Sequence, residues 1–199
     1  GNETPRPERR DTFVAGYLGS MGHANSIDFL IDVAHCIREA ENIKFVFVGD
    51  GPLRDSHIKR CSDLELSNVT FDQPVARGDV PSVLAGFDVG MIAWRDVPIY
   101  RYGIAANKLF DYMWARCPIL QSYSGGYDPV ARHDLGVTVP SGAVMEFGAE
   151  LIALAEADRS VRLAMGNNGR DLVESRHNYH LIAKTLIRHL ERFTKESSV

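Results

Sequence analysis

The sequence predicts a doubly wound α/β domain: a parallel six-stranded sheet in the order 3-2-1-4-5-6, with helices on both faces. Three observations predict it. Short β-branched or aromatic runs alternate with longer amphipathic stretches from Thr12 onward, and such alternation implies parallel strands covered on both faces by helical crossovers. Glycine turns close the first two strands, at Gly19-Ser20-Met21-Gly22 and Gly49-Asp50-Gly51-Pro52. Right-handed crossovers then restrict the winding of the sheet.

Residues 12–18 (TFVAGYL) read as the first strand. A helix follows over 26–40, with Ile27, Leu30, Ile31, Ala34 and Ile37 on one face and Ser26 as its N-cap. Residues 44–48 (KFVFV) are the second strand, and Pro52 suits the first turn of the next helix, which runs to about Ser62. The third strand covers 68–71, a short helix 79–85, and the fourth strand 87–92 (FDVGMI). After a loop come a helix over 104–115, the fifth strand at 118–121, a short helix over 127–133 and the sixth strand at 136–139. Helices over 144–156, 160–174 and 179–193 close a Rossmann-like arrangement. One domain spans 12–193, followed by a tail at 194–199. The opening 1–11, polar and carrying Pro5, Pro7, Arg9 and Arg10, reads as a linker or cloning remnant. It does not begin with Met, so the expectation is a chain trimmed or begun in mid-protein.

The chain has 199 residues, 45% apolar and 24% charged, the composition of an ordinary globular domain. Its net charge of -4 argues against a generic nucleic-acid binder, which needs a concentrated basic surface. No apolar run approaches the roughly 18 residues that span a bilayer. Cys36, Cys61 and Cys117 are odd in number and widely spaced, which predicts reduced buried thiols and a cytosolic setting. His177, His180 and His189 lack an acidic partner and read as helix-boundary and surface residues, so no metal site is expected. No nucleophile elbow, P-loop or Cys-x-x-Cys pair is present.

Ligands of such sheets bind at the carboxyl ends of the strands, where the winding reverses. That places a site among four segments, 16–25, 49–53, 71–79 and 93–108. In the first, Gly16, Gly19 and Gly22 allow close approach of a phosphate, and His23 could donate to a ligand oxygen. Their spacing is not the dinucleotide fingerprint. In the second, Gly49, Asp50 and Gly51 form a turn. In the third, the backbone of Gln73, Pro74 and Val75 could hydrogen-bond the edge of a base. In the fourth, the amides of Ala106 and Asn107 and the amine of Lys108 are placed at a helix start, as a diphosphate requires. Asp111 follows three residues later and could accept from a ribose, and Arg95, Arg101 and Tyr102 lie in the preceding loop. On pattern alone these segments also read as plain turns, a proline-stiffened connector and a helix start with solvated Lys108 and Asp111.

Taken in order, several stretches resemble the C-terminal domain of glycosyltransferase family four, retaining enzymes of the B-type fold. They are Ala15-Gly16-Tyr17-Leu18-Gly19, Phe45 through Leu53 (FVFVGDGPL), Asn68-Val69-Thr70-Phe71, Ala85 through Gly90 (AGFDVG) and, above all, Asn107 through Leu120 (NKLFDYMWARCPIL). The likeness runs from Phe13 to about Phe193. The resemblance implies a UDP- or GDP-linked sugar donor and no other cofactor. Its base would lie near Gln73 to Val75, its ribose near Asp111, and its diphosphate over Ala106, Asn107, Lys108 and the 16–22 turn. It also implies a preceding domain that supplies the catalytic base and binds a glycan or lipid-linked acceptor, with peripheral membrane association of the whole protein. Lys108 would stabilise the leaving group, and this domain alone would be inactive. The last helix, with Leu181, Ile182, Leu186, Ile187 and Leu190, would support the absent half or a dimer contact.

Two departures stand out. Many members carry two glutamates separated by seven residues; here Asp111 replaces the second and Gly103 stands at the first. Many also carry an Arg and a Lys after the first strand, where this chain has Ser20, Met21, Gly22 and His23. Phosphate charge would then fall to Lys108, with Arg95 or Arg101. A nucleotide-sugar 2-epimerase of the same fold and a non-catalytic relative remain open readings, and a dehydrogenase ranks last.

Overall fold

The computed structural model describes residues 12–104, 106–177 and 183–190. Six parallel strands form one sheet in the order β3-β2-β1-β4-β5-β6. They are β1 (Phe13–Leu18), β2 (Ile43–Val48), β3 (Val69–Asp72), β4 (Val89–Ala93), β5 (Ile119–Ser122) and β6 (Gly136–Val139). The helices are α1 (Ile27–Cys36), α2 (Arg54–Asp63), α3 (Val80–Ala85), α4 (Asn107–Trp114), α5 (Pro129–Arg132), α6 (Val144–Glu156) and α7 (Arg159–Arg176). Residues 183–190 are helical as well. Leu186, Ile187 and Leu190 of that segment are exposed, while Leu181 and Ile182 lie outside the described residues.

Alternation along the strands sorts side chains to two faces. Phe13, Ala15, Tyr17, Phe45 and Phe47 enter one core cluster with Leu30, Ile31 and Ala34 of α1 and Phe147 and Leu151 of α6. Leu18 and Val48 enter the other, with Leu84 of α3, Leu109, Tyr112 and Met113 of α4 and Val173 of α7. Both faces of the sheet are therefore dry, the condition a parallel sheet demands. On the second face α7 lies close against α4: a Cβ on Gly169 would come 3.3 Å from the Met113 Cα, and the Arg170 guanidinium sits 3.7 Å over the Trp114 ring.

Several element boundaries differ from those expected, each for a local reason. Ser26 precedes α1 but does not cap it: its backbone is left-handed (φ 47), and its buried Oγ has no partner. The helix ends at Cys36, four residues early, and Cys36 is only partly buried. Pro52 belongs to the turn before α2, which starts at Arg54. Helix α4 starts at Asn107 rather than at Ile104, with Ala106 in extended backbone before it, and Pro98–Tyr102 in the preceding loop forms a 3-10 turn.

The end of β5 is tied to α5 by one carboxylate. Asp128 Oδ1 accepts from the amides of Val130 (2.9 Å) and Ala131 (3.1 Å) and from Nε2 of the buried Gln121 (2.7 Å). Asp128→Ala removes the cap and one of the two partners of Gln121, and is expected to cost about 1–3 kcal/mol. A lower urea midpoint with an unchanged slope is the readout.

Candidate functional site

The reversal of winding falls between β1 and β4. Those strands pair only at Ala15↔Val89 and Gly16↔Gly90. The two glycines leave room on the α4 side: a Cβ on Gly16 would lie 2.1 Å from the Phe87 ring, and one on Gly90 would lie 2.7 Å from the Tyr112 ring. Gly16 is thus a packing glycine inside β1. Tyr112 fills the space beside Gly90, and its hydroxyl accepts from the Leu18 amide at 3.0 Å and donates to the Met91 carbonyl at 3.4 Å. A side chain of α4 here takes the place of a backbone partner at the opening of the sheet, and so fixes the helix over it.

One turn earlier on the same helix, Lys108 follows from that anchoring. Its Nζ donates to Tyr17 Oη at 2.8 Å and to Asn25 Oδ1 at 2.7 Å, and lies 4.2 Å from the Tyr17 ring centroid. The Tyr17 hydroxyl in turn donates to the Ser20 carbonyl at 2.6 Å. A Cβ on Gly19 would be 3.5 Å from the Lys108 Nζ, so the amine sits against the turn that leaves β1. Burial pulls the Lys108 pKa down from 10.5 to about 7 and pushes that of Tyr17 up.

The turn after β2 is fitted to the turn after β1, backbone on backbone. Gly49 and Gly51 have positive φ (142 and 157), and Cβ atoms there would lie 2.1 Å from the Gly19 carbonyl oxygen and 2.6 Å from that of Met21. The Met21 amide donates to the Asp50 carbonyl, while the Asp50 carboxylate accepts from the Gly51 amide at 2.7 Å. Gly22 is open: the nearest atom to a Cβ is Ser20 Oγ at 3.9 Å. His23 is exposed at the start of a 3-10 turn, His23–Asn25.

At the start of α4, Ala106 precedes the helix in extended backbone, and no side chain caps it. Asn107 is exposed and Ala106 partly so. The first amides of the helix therefore lack a side-chain acceptor, which leaves partial positive charge there. Asp111, one turn along, receives both terminal nitrogens of Arg77, at 3.0 and 3.3 Å. Arg77 stands just beyond Gln73, Pro74 and Val75, all exposed on the loop from β3.

The structure thus brings together Gly19, Lys108, the 49–51 turn and the start of α4, and links the β3 loop to Asp111 through Arg77. Arg101 is exposed on the turn before α4. Its turn is held to the β5–α5 loop, by the Tyr123 hydroxyl on the Tyr100 carbonyl (3.1 Å) and by Gly126 against the Arg101 carbonyl. Among the described residues Arg101 makes no ion pair, and Arg95 is exposed. Gly103 has φ 102 with open space around it. On this side of α4, Trp94, Ile104, Ala106, Tyr123 and Tyr127 line an apolar hollow.

Sequence reasoning missed Tyr17, Asn25, Arg77 and Tyr112. A tyrosine at the end of a buried strand needs a hydroxyl partner, but nothing in the pattern names an amine 91 positions away.

A family model described as "Glycosyl transferases group 1" matches residues 12–157. No curated protein sequence matches the chain. Among solved structures, the C-terminal domain of a group 1 family glycosyl transferase (LpcC) from Francisella tularensis superposes with TM-score 0.67 at 16% identity, over 84% of this chain and 87% of that one. S. aureus TarM, in a complex that includes UDP, superposes with TM-score 0.75 at 15% identity, over 94% of this chain and 37% of TarM. Anabaena HepE with UDP-glucose gives 0.71 at 18% identity, over 91% and 49%. The chain thus spans less than half the length of TarM and HepE.

Proposed function

The chain belongs to the group 1 glycosyl transferases, and on that premise we propose that it is the donor-binding half of an enzyme that moves a sugar from a nucleotide-diphosphate sugar to an acceptor. The observation that carries the proposal is the Lys108 amine, which sits beside Gly19 at the reversal of the sheet, next to a helix start that no side chain caps. The amine has two neutral oxygen partners and no carboxylate, and the neighbouring helix start has no side-chain cap, an arrangement that favours an anion. The diphosphate lies over Ala106, Asn107, Lys108 and the turn after β1, the ribose against Asp111, and the base along Gln73 to Val75. TarM with UDP and HepE with UDP-glucose point to uridine as base.

As the bond between the anomeric carbon and the diphosphate breaks, negative charge collects on the leaving oxygen. Helix-start amides and the Lys108 ammonium stabilise that charge more than they stabilise the intact donor. Asp111 and Arg77 orient the nucleoside. The catalytic base and the acceptor site belong to a preceding domain, and transfer proceeds with retention onto a glycan or lipid-linked acceptor at the inner face of a membrane. No described helix is itself long and apolar enough to cross one.

A thermal-shift panel of nucleoside diphosphates and sugar nucleotides tests the proposal on this chain directly. A ligand at about a hundred times its Kd stabilises by about 2.7 kcal/mol, which raises the melting temperature by about 5–10 °C for a domain of this size. No shift with any member of the panel would leave a structural domain without a donor site.

A further inference from the structure

Lys108 is held unlike most partly buried cations. Its two hydrogen-bond partners are neutral oxygens, Tyr17 Oη and Asn25 Oδ1. The titratable groups on the surrounding elements are engaged elsewhere or exposed. Asp111 takes Arg77, the Tyr112 hydroxyl takes the Leu18 amide, and the Asp50 carboxylate takes the Gly51 amide. Asp28 in the first turn of α1 faces Arg60 and His57, and His23 is exposed. None of them is a hydrogen-bond or ion-pair partner of Lys108. Two neutral acceptors offset only part of the desolvation of an ammonium.

We infer that Tyr17 and Asn25 are positioning residues that hold Lys108 as an anion receptor with no built-in counter-ion, so that the donor's diphosphate is taken up together with a proton. The cation comes from α4, and one side chain of β1 and one of the 3-10 turn after it aim it. The inference rests on the donor reading above. Solvent supplies the proton to the Lys108 Nζ, and no bond of the donor breaks. Burial lowers the pKa of the free amine to about 7, and a bound diphosphate raises it. Affinity is therefore full at low pH and weakens above about pH 7, by up to tenfold per pH unit, until the pKa of the complex is reached.

The experiment is calorimetric titration of the chain with UDP-glucose and with GDP-mannose at about pH 8, in HEPES and in Tris. These buffers differ in ionisation enthalpy, and a diphosphate diester has no ionisation of its own in this range, so a buffer-dependent heat counts protons taken up by the protein. The expected result is uptake approaching one proton. Asn25→Asp places a fixed carboxylate on the amine, which should abolish the uptake, flatten the pH profile and weaken binding about tenfold. Tyr17→Phe removes one acceptor and should move the midpoint of the pH profile down, a change that general loosening of the fold would not produce. Binding without proton uptake, or an Asn25→Asp profile identical to that of the parent, overturns the inference while the donor reading stands. Absence of binding by either nucleotide sugar defeats both.

Discussion

Replacing Lys108 by methionine is expected to stabilise the chain and at the same time weaken donor binding by tenfold or more. The two effects share one cause. In the free protein the amine is partly buried between Tyr17 and Asn25 without a carboxylate, and burial lowers its pKa from 10.5 to about 7. A group whose pKa is lowered on folding and whose charged form is the protonated one destabilises the fold wherever it must carry charge. Methionine keeps most of the volume and the contact with the Tyr17 ring, and it removes the ammonium. A gain of about 1–2 kcal/mol, or about 3–6 °C, is expected near pH 7. The sign of its pH dependence follows. The penalty in the parent chain is fully present below pH 7 and is relieved as pH rises from about 7 toward 10.5, because the unfolded chain alone stays protonated there. The advantage of Lys108→Met should therefore shrink over that window, as differential scanning calorimetry of the two proteins would show. Loss of the amine against Gly19 should meanwhile raise the Kd for a nucleotide sugar by at least the factor of ten that about 1.4 kcal/mol represents. A variant that melts lower and binds equally well would remove Lys108 from the site.

The second large effect is expected at Gly49. Alanine there would have to adopt φ 142 and place its Cβ 2.1 Å from the Gly19 carbonyl oxygen. Both obstacles are backbone, so no side chain can swing away. Left-handed strain of about 1–3 kcal/mol and overpacking of similar size add to about 3 kcal/mol or more, large for a single methyl group. Because the atom met belongs to Gly19, the displacement falls on the turn that faces Lys108, and donor binding should fall with stability. Gly22→Ala is the contrast: with its nearest neighbour 3.9 Å away, it should change stability by less than about 0.5 kcal/mol. Urea unfolding of both variants decides the matter; equal midpoints would mean that the two turns are not locked together.

The alternation of strands and helices was legible because period-two and period-3.6 patterns are local and repeat over many residues, and the order 3-2-1-4-5-6 followed from the right-handed crossovers such alternation requires. Boundaries set by backbone angles were less so. Ser26 has the chemistry of an N-cap, yet the left-handed turn it occupies points its hydroxyl into a buried position. The helix expected from Ile104 starts at Asn107, because Ala106 before it is in extended backbone. Arg101, a candidate cation by composition, lies on a turn bound to the β5–α5 loop.

By itself the sequence determined the fold class and the family likeness, since both depend on the order and period of residues along the chain. Only the tertiary structure decided which side chains meet. Tyr112 reaches the Leu18 amide across 94 positions, Lys108 reaches Tyr17 across 91 and Arg77 reaches Asp111 across 34. Such contacts depend on how far β1 and β4 part and on where α4 is pinned over the gap. Those are properties of packing between distant segments, and no local pattern encodes them.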